Sequence, residues 1–219
     1  MSEVSRRELA GLLGMATIAG GVLTATGGAL HASTTALTIS EKARRRIQEQ
    51  HLPNIPLTTQ DGKRVRFYDD LVKNKIVTLN FFFTNCDKIC PMVMANLSKV
   101  QNLLGSKVGR DIFMYSFTLK PEEDTVDVLK RTHNLYRAKP GWTYLTGTPN
   151  DMEKLRVALG FTYPDPAIDK DKEQHIGNIR YGNEPLMLWS ACPGMARAGW
   201  IADTLKWVIK PESFRGQKA

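Results

Sequence analysis

The feature that most constrains this chain is an apolar run that ends in two cysteines four positions apart. Residues 76–83 are rich in β-branched and aromatic side chains, a composition typical of a buried central strand. Cys86 and Cys90 follow, and Pro91 suits the first position of a helix that we expect to end near Leu104. The pattern predicts the cysteines in a loop between a core strand and a helix N-terminus. Open α/β sheets bind ligands at that edge.

The rest of the chain alternates predicted strands with predicted helices, which indicates an α/β fold. Before the central strand we expect a hairpin over 58–67 with its turn at Asp61-Gly62, and a short helical turn at 69–73. After the cysteines we expect strands at 112–118 and 142–146, a helix that starts at Pro121, and a helix capped by Thr148 that Gly160 ends. The chain should end with a loop over 163–174, a hairpin over 176–189 with its turn at 182–185, and a helix over 200–208.

The first 30 residues are typical of an export signal rather than of a folded domain. Arg6 and Arg7 precede an uncharged, Gly-rich and Ala-rich segment over 10–30, as in twin-arginine signals. The alternative is an uncleaved anchor, since the 21 residues of this segment would just span a bilayer. Either interpretation predicts a periplasmic protein or one on the outer face of the cytoplasmic membrane.

These boundaries predict four segments. We expect a twin-arginine-type signal or anchor over 1–32, a basic linker over 33–51, a single domain over 52–210 and a C-terminal tail over 211–219. The linker contains Arg44, Arg45 and Arg46 in a row, and we expect it to form a solvated helix; contact with anionic lipid is the alternative.

The formal net charge of +8 favours acidic partners or an anionic membrane surface. We expect no nucleic-acid partner, because the lysines and arginines are spread along the chain without a recognition motif. Three cysteines are too few for a disulfide scaffold in an exported chain. A close pair plus a remote one is typical of a working dithiol or a metal site.

The spacing of Cys86 and Cys90 lets both sulfurs face one side of a single turn. We expect lowered thiol pKa values there, because Lys88 and the helix N-terminus favour thiolate while Asp87 opposes it. Thiolates exchange disulfides and bind soft metals. Two thiolates with a histidine suit Cu(I) and Cu(II), and with an added water they suit zinc. An inert disulfide is the remaining alternative.

The segment from Phe83 to Pro91 resembles the F-T-x-C-x-x-x-C-P signature of the Sco/SenC family. The resemblance extends over about 52–210 and includes the segments 57–63, 120–125 and 142–148. It implies a thioredoxin-like fold, with a central mixed sheet flanked by helices and an N-terminal hairpin extension. It also implies an exported or membrane-tethered protein that binds copper and assists assembly of the binuclear copper centre of cytochrome c oxidase.

The resemblance implies that one copper ion per domain, as Cu(I) or Cu(II), is held by Cys86, Cys90 and His175. His175 lies 85 positions after Cys90 and directly precedes a predicted hairpin, as the family's ligand does. Taken without the resemblance, His175 would be a surface loop histidine. His133 is expected to pack at the core boundary, and Met92 and Met94 are interpreted as packing residues rather than ligands.

Three residues depart from the family pattern. Lys120 stands where an aspartate is usual, Gln174 where an aspartate often precedes the ligand histidine, and Asp87 where a proline is common. Cys192 has no counterpart in the common pattern. It could be a buried apolar residue, an accessory sulfur ligand together with Met195, or a resolving thiol for the pair.

The sequence therefore predicts an exported copper metallochaperone that delivers copper to cytochrome c oxidase or a related cuproenzyme, or maintains its copper centre. Its expected partners are a copper-containing oxidase subunit or another cuproenzyme, a thioredoxin-like reductant and an anionic membrane surface. The alternative is an enzyme, a thiol-disulfide oxidoreductase with Cys86 and Cys90 as its catalytic redox pair. His175 discriminates between the two, because disulfide exchange needs no third ligand. A peroxidase-like or redox-sensing protein, which would use Cys192, is a further alternative.

Overall fold

The computed structural model describes residues 41–174 and 176–209, in which a mixed sheet of seven strands carries the fold. The strands are β1 Pro56–Thr59, β2 Arg64–Arg66, β3 Ile76–Phe82, β4 Phe113–Thr118, β5 Trp142–Thr146, β6 Asn178–Asn183 and β7 Leu188–Pro193. The helices are α1 (41–51), α2 Ile89–Leu104, α3 Val126–Leu135, α4 Pro149–Ala158, α5 Pro166–Lys170 and α6 Ala198–Ile209. Residues 42–209 belong to one compact unit.

The sheet order is β2-β1-β5-β4-β3-β6-β7. Strands β3, β4 and β5 are parallel, and β1 and β6 join this group antiparallel at its two edges. The outer strands β2 and β7 pair antiparallel with β1 and β6. Six of the seven residues of β3 are buried, as its continuous apolar pattern predicts for a central strand. The α/β fold, its mixed sheet and the N-terminal β1-β2 hairpin agree with the sequence prediction. Gly62 supplies the positive φ of +77° that this hairpin turn requires.

A line of buried polar contacts crosses the three parallel strands. The Trp142 indole N–H donates to Ser116 Oγ over 2.9 Å, and Ser116 donates to Asn80 Oδ1 over 2.7 Å. The Asn80 amide then donates to the sulfur of Met94 on α2 at 3.4 Å. Each buried polar group thereby has a partner, which avoids the cost of leaving it unsatisfied. Met94 is fully buried, in agreement with its interpretation as a packing residue, whereas the same interpretation is wrong for Met92, which is 51% exposed.

Two predicted element boundaries are wrong. The helix expected from Pro121 begins only at Val126, because Thr125 caps it by accepting the Val128 amide N–H. Residues 121–124 instead form a turn. The second hairpin is also longer than predicted, since β6 runs to Asn183 and β7 to Pro193.

The segment over 163–174, predicted as a loop, contains two short helical elements. These are α5 and a 3-10 turn, Lys172–Gln174. Asp165 caps α5 by accepting the Ala167 amide N–H at 2.8 Å. Periodicity could not predict an element of five residues.

The basic segment before the sheet forms helix α1. Arg44 on this helix donates to a carboxylate oxygen of Glu184 at 2.9 Å and to the Glu184 carbonyl at 3.0 Å. Glu184 is only 1% exposed, so this arginine neutralises a buried charge. The predicted export segment over 10–30 lies outside the described residues. No helix within 41–174 or 176–209 has the length and apolar character needed to cross a bilayer.

Candidate metal centre

The two cysteines of the pair lie where the central strand passes into helix α2. Strand β3 ends at Phe82, Cys86 lies in the connecting loop, and Cys90 lies in the first turn of α2. Both are buried, at 7% and 3% exposure, and their side chains are in hydrogen-bond contact. All three cysteines of the chain are described, and none forms a disulfide in this structure. The predicted order of strand, loop and helix is confirmed, but only Cys86 lies in the loop as predicted.

The helix starts two residues earlier than predicted, so Pro91 occupies its third position rather than its first. Proline is tolerated there because the first four N–H groups of a helix have no acceptor within it. The earlier start brings Cys90 into the helix, where its side chain packs into the core rather than into a loop.

The prediction of lowered thiol pKa values is wrong for Cys90. Burial raises the pKa of Cys90 far above its ordinary value, and the hydrogen bond with Cys86 raises it further. A contact with the Phe83 backbone opposes this shift but does not outweigh it. Desolvation disfavours the charged thiolate more than the helix N-terminus favours it. Lys88 is exposed and does not overcome this desolvation.

A buried carboxylate anchors the cysteine loop. Asp124 is 1% exposed and accepts the Thr84 amide N–H at 3.2 to 3.3 Å and the Thr84 hydroxyl. It also accepts the hydroxyl of Thr118 at the end of β4. Its own amide N–H donates to the Lys120 carbonyl at 2.8 Å. Asp124 therefore joins the turn after β4 to the loop that carries Cys86.

Tyr136 links helix α3 to the helix that carries Cys90. It terminates α3, and its carbonyl accepts the Ser98 hydroxyl of α2 at 2.9 Å. Burial raises the pKa of Tyr136, and the charges of Cys90 and Cys86 raise it further. No local sequence signal marks the contact between Tyr136 and α2, since it depends on how α3 packs against α2.

Cys192 lies in β7, paired in register with Ile179 of β6, and belongs to the hydrophobic core. It is 3% exposed, and burial raises its pKa to about 11. Met195 is about half exposed three residues later. His133 packs at the boundary, as predicted, with its ring 5.4 Å from that of Tyr144.

The segment that leads to position 175 is held by charged contacts. Arg156 on α4 donates to both carboxylate oxygens of Asp169 at 2.7 Å and to Glu153 at 2.7 and 2.9 Å. The hydrogen bonds to Arg156 lower the pKa values of Asp169 and Glu153 to about 2. Nearer the cysteines, Lys120 Nζ lies 2.8 Å from Glu173 Oε1, and this hydrogen bond raises the pKa of Lys120.

His175 lies outside the described residues, so its predicted position is not tested. The neighbouring residues do contact the elements that carry the cysteines. Glu173 binds Lys120, whose Nζ lies 4.2 Å from the centre of the Phe83 ring. On the other side, a Cβ added to Gly177 would lie only 2.4 Å from the Ile89 side chain on α2.

The donor set that the structure describes is incomplete for a closed metal site. Among the described residues, no three His, Cys, Asp or Glu side chains are grouped closely enough to hold an ion. The two adjacent thiols of Cys86 and Cys90 fit a soft metal and supply two donors.

The chain belongs to the SCO1/SenC family, because the family's sequence model matches residues 44–179. An SCO1 homologue of Bacillus subtilis is 34% identical over 100 residues, which cover 45% of this chain and 50% of the relative. A Stutzerimonas stutzeri relative that is named for copper binding is 27% identical over 135 residues, covering 60% and 64%. The matches thus span less than two thirds of each of these relatives.

Solved structures agree on the fold. ScoI of Bradyrhizobium japonicum, determined with copper bound, superposes with a TM-score of 0.56 at 23% identity and covers 70% of this chain and 96% of that one. A SCO1/SenC family lipoprotein of Bacillus anthracis gives a TM-score of 0.61 at 23% identity, with 74% and 96% covered. BsSco, described as a Sco-family cytochrome c oxidase assembly protein with a disulfide switch, gives 0.59 at 22% identity, with 73% and 94% covered.

Proposed function

We propose that this protein is a copper carrier that holds one copper ion on Cys86, Cys90 and His175 and passes it to the copper centre of an oxidase or related cuproenzyme. The observation that carries the proposal is the buried pair of adjacent thiols at the β3-α2 junction of a Sco-family chain. Copper is here the cargo, and it leaves when thiolates of the recipient replace these ligands one at a time.

The burial of the pair supports metal binding. Binding of a soft cation displaces the thiol protons and neutralises the thiolate charge, which offsets the desolvation that raises the pKa of Cys90. The surrounding core also keeps water from the sulfurs, so that the site can hold Cu(I), the ion that thiolates prefer.

The contacts on both sides of position 175 support His175 as the third ligand. Glu173 is tied to Lys120 beside Phe83, and Gly177 lies against Ile89. The chain is therefore anchored two residues before and two residues after His175 to the strand end and the helix that carry the cysteines. An imidazole added to two thiolates suits Cu(II) as well as Cu(I).

The assignment of the recipient and of the location follows the family. BsSco is described as a cytochrome c oxidase assembly protein, and the B. anthracis relative is a lipoprotein. We infer an exported protein in which residues 1–32 serve as signal or anchor, 33–51 as linker and 52–210 as the copper-binding domain, with 211–219 as a tail. A thioredoxin-like reductant that keeps the pair reduced is the expected second partner.

The test is a titration of the reduced protein with Cu(I) and with Cu(II), each against a chromophoric competitor. We expect one ion per chain, loss of both affinities in Cys86→Ser, and a loss of Cu(II) affinity of about 100-fold or more in His175→Ala, because removal of a ligand should exceed the 10- to 100-fold cost of a group that orients one. Equal Cu(II) binding by wild type and His175→Ala would overturn the ligand assignment.

Thiol-disulfide exchange is the second candidate, and the hydrogen-bond contact between Cys86 and Cys90 favours it because the pair can close a disulfide without a large movement. Reduction of a peptide disulfide by the dithiol, measured without copper, tests this function. If the protein reduced the peptide disulfide rapidly and bound no copper, the oxidoreductase function would replace the copper-carrier function.

A further inference from the structure

Lys120 is one of the residues that depart from the family pattern, and it contacts both the cysteine side of the site and the turn before position 175. Its backbone is part of the turn that anchors the cysteine loop. The Lys120 amide N–H donates to Thr118 Oγ1 at 2.9 Å, and its carbonyl accepts the Asp124 amide N–H at 2.8 Å. The base of this side chain is therefore fixed relative to Thr84, which the same aspartate holds two residues before Cys86.

Besides a longer pair with Glu123 in its own turn, at 4.0 Å, the Lys120 ammonium has two partners on other parts of the chain. Its Nζ lies 4.2 Å from the centre of the Phe83 ring, and Phe83 is buried just before the cysteine loop. The same Nζ lies 2.8 Å from Glu173 Oε1. The Lys120 side chain is 23% exposed and that of Glu173 37%. The contact with the Phe83 ring already restricts the rotamers of Lys120. Forming the ion pair with Glu173 therefore costs less side-chain entropy than forming a fully solvated pair, and it holds Glu173 more firmly.

Glu173 belongs to a turn with its own internal bonds. Asp171 accepts the Glu173 amide N–H at 3.0 Å and the Gln174 side-chain amide at 2.9 Å. Lys172 joins the outer side of this turn to Glu153 of α4 at 2.8 Å. These hydrogen bonds connect the residues of the turn to one another, and the Lys120–Glu173 pair ties it to the turn that follows β4.

We propose that Lys120 is a positioning residue for the third copper ligand. By holding Glu173 beside Phe83, it fixes the turn that immediately precedes His175, so that the imidazole is presented to Cys86 and Cys90. This inference rests on the ligand set proposed above. It assigns the Lys120–Glu173 pair a role in selecting the oxidation state of the cargo, because Cu(II) requires the imidazole whereas Cu(I) is held well by two thiolates.

The experiment compares variants of the full chain by Cu(I) and Cu(II) competition titration and by the sulfur-to-Cu(II) charge-transfer absorption. In Lys120→Met and Glu173→Gln we expect Cu(II) affinity to fall about 10-fold, as for removal of a group that orients a ligand, with a shifted absorption band and nearly unchanged Cu(I) affinity. Lys120→Arg keeps the charge and the aromatic contact and should bind like wild type. Lys172→Met, which breaks the pair with Glu153 on the other side of the same turn, is the matched control and should also bind like wild type.

The outcomes separate this inference from the proposed function. Wild-type Cu(II) binding in Lys120→Met and Glu173→Gln, together with a loss in His175→Ala, would overturn the positioning role and leave the ligand set intact. Equal losses of Cu(I) and Cu(II) affinity in Lys120→Met, or the same loss in Lys172→Met, would indicate a general structural role and overturn the inference. Wild-type binding in His175→Ala would overturn the ligand set and the positioning role together.

Discussion

Two segments border the candidate site, and they are held in different ways. The cysteine loop is attached to the core through Asp124, which is 1% exposed. Its carboxylate oxygens accept hydrogen bonds from Thr84 and Thr118. The segment over 163–174 is attached through ion pairs, to Arg156, which is itself only 4% exposed, and to Lys120, whose pair with Glu173 is partly exposed. The first attachment is shielded from water and salt, whereas the second is partly exposed to both.

This difference fits a carrier that has to both hold and release its cargo. Because the cysteine loop is anchored to the core, the sulfurs of Cys86 and Cys90 stay in place during ligand exchange, and the core does not have to rearrange when copper leaves. A third donor next to the partly exposed Lys120–Glu173 pair can dissociate first at little cost. In the proposed function, the order of ligand loss would therefore begin with His175 and end with the cysteines.

The largest effect is expected from Asp124→Asn. The carboxylate accepts the Thr84 hydroxyl on one oxygen and the Thr118 hydroxyl on the other. Asparagine keeps only one of these oxygens, and its amide nitrogen cannot accept a hydrogen bond, so one hydroxyl loses its partner. We expect unfolding by urea to show a loss of about 2 to 3 kcal/mol, the cost of a broken hydrogen bond to a buried charge. Copper affinity should fall as well. Glu123→Gln, whose side chain is 57% exposed in the same turn, is the control and should lie near wild type.

If Asp124→Asn unfolded at the same urea concentration as the control, the claim that the cysteine loop depends on the core would be wrong. If its stability fell but copper binding did not change, the anchor would serve the fold alone.

A smaller and pH-dependent effect is expected where Arg156 holds the segment over 163–174. Hydrogen bonds to Arg156 lower the pKa of Asp169 to about 2, below its ordinary 3.8. A carboxyl with a lowered folded-state pKa stabilises the fold fully above its unfolded-state pKa, and this contribution is lost as the pH falls through the folded-state value. The contribution of Asp169 should thus be constant above about pH 4 and decline between about pH 4 and pH 2.

Asp169→Asn should remove this contribution at all pH values. Because Arg156 keeps Glu153, we expect a loss of about 1 kcal/mol at pH 7, and less difference from wild type near pH 2. Thermal unfolding at both pH values measures this, with amide hydrogen exchange over 163–174 as the local readout. A wild-type exchange pattern in this segment would contradict its attachment through Arg156.

The smallest effect on copper is expected from Cys192→Ala, which tests whether a core sulfur takes part in the site. Cys192 is buried in β7, so its truncation should cost about 1 kcal/mol of stability through the cavity it leaves. Both copper affinities should remain at the wild-type value. A loss of Cu(I) affinity, or a disulfide between Cys192 and either cysteine of the pair in oxidised wild type detected by peptide mapping, would assign it to the site instead.

Local sequence patterns predicted the elements nearest the cysteines well. The apolar run that forms β3 and the end of α2 at Leu104 follow from composition and from a glycine stop, which act within a few residues. The start of α3 was predicted wrongly because Asp124 engages Thr84, 40 positions away, rather than the first turn of a helix. The pKa of Cys90 was predicted in the wrong direction because burial outweighs the charges that its neighbours in sequence provide.

The sequence by itself determined the position of the dithiol between a core strand and a helix, and the resemblance to a family that carries copper. Strand and helix propensity and the hydrophobic pattern are local properties, so they can be read directly from the chain. Only the tertiary structure decided how deeply the thiols are buried, which carboxylate holds their loop, and that Lys120 meets Glu173 across 53 positions. Solvent exclusion and long-range pairing arise only when the sheet and its helices have packed together, because they depend on which distant residues become neighbours.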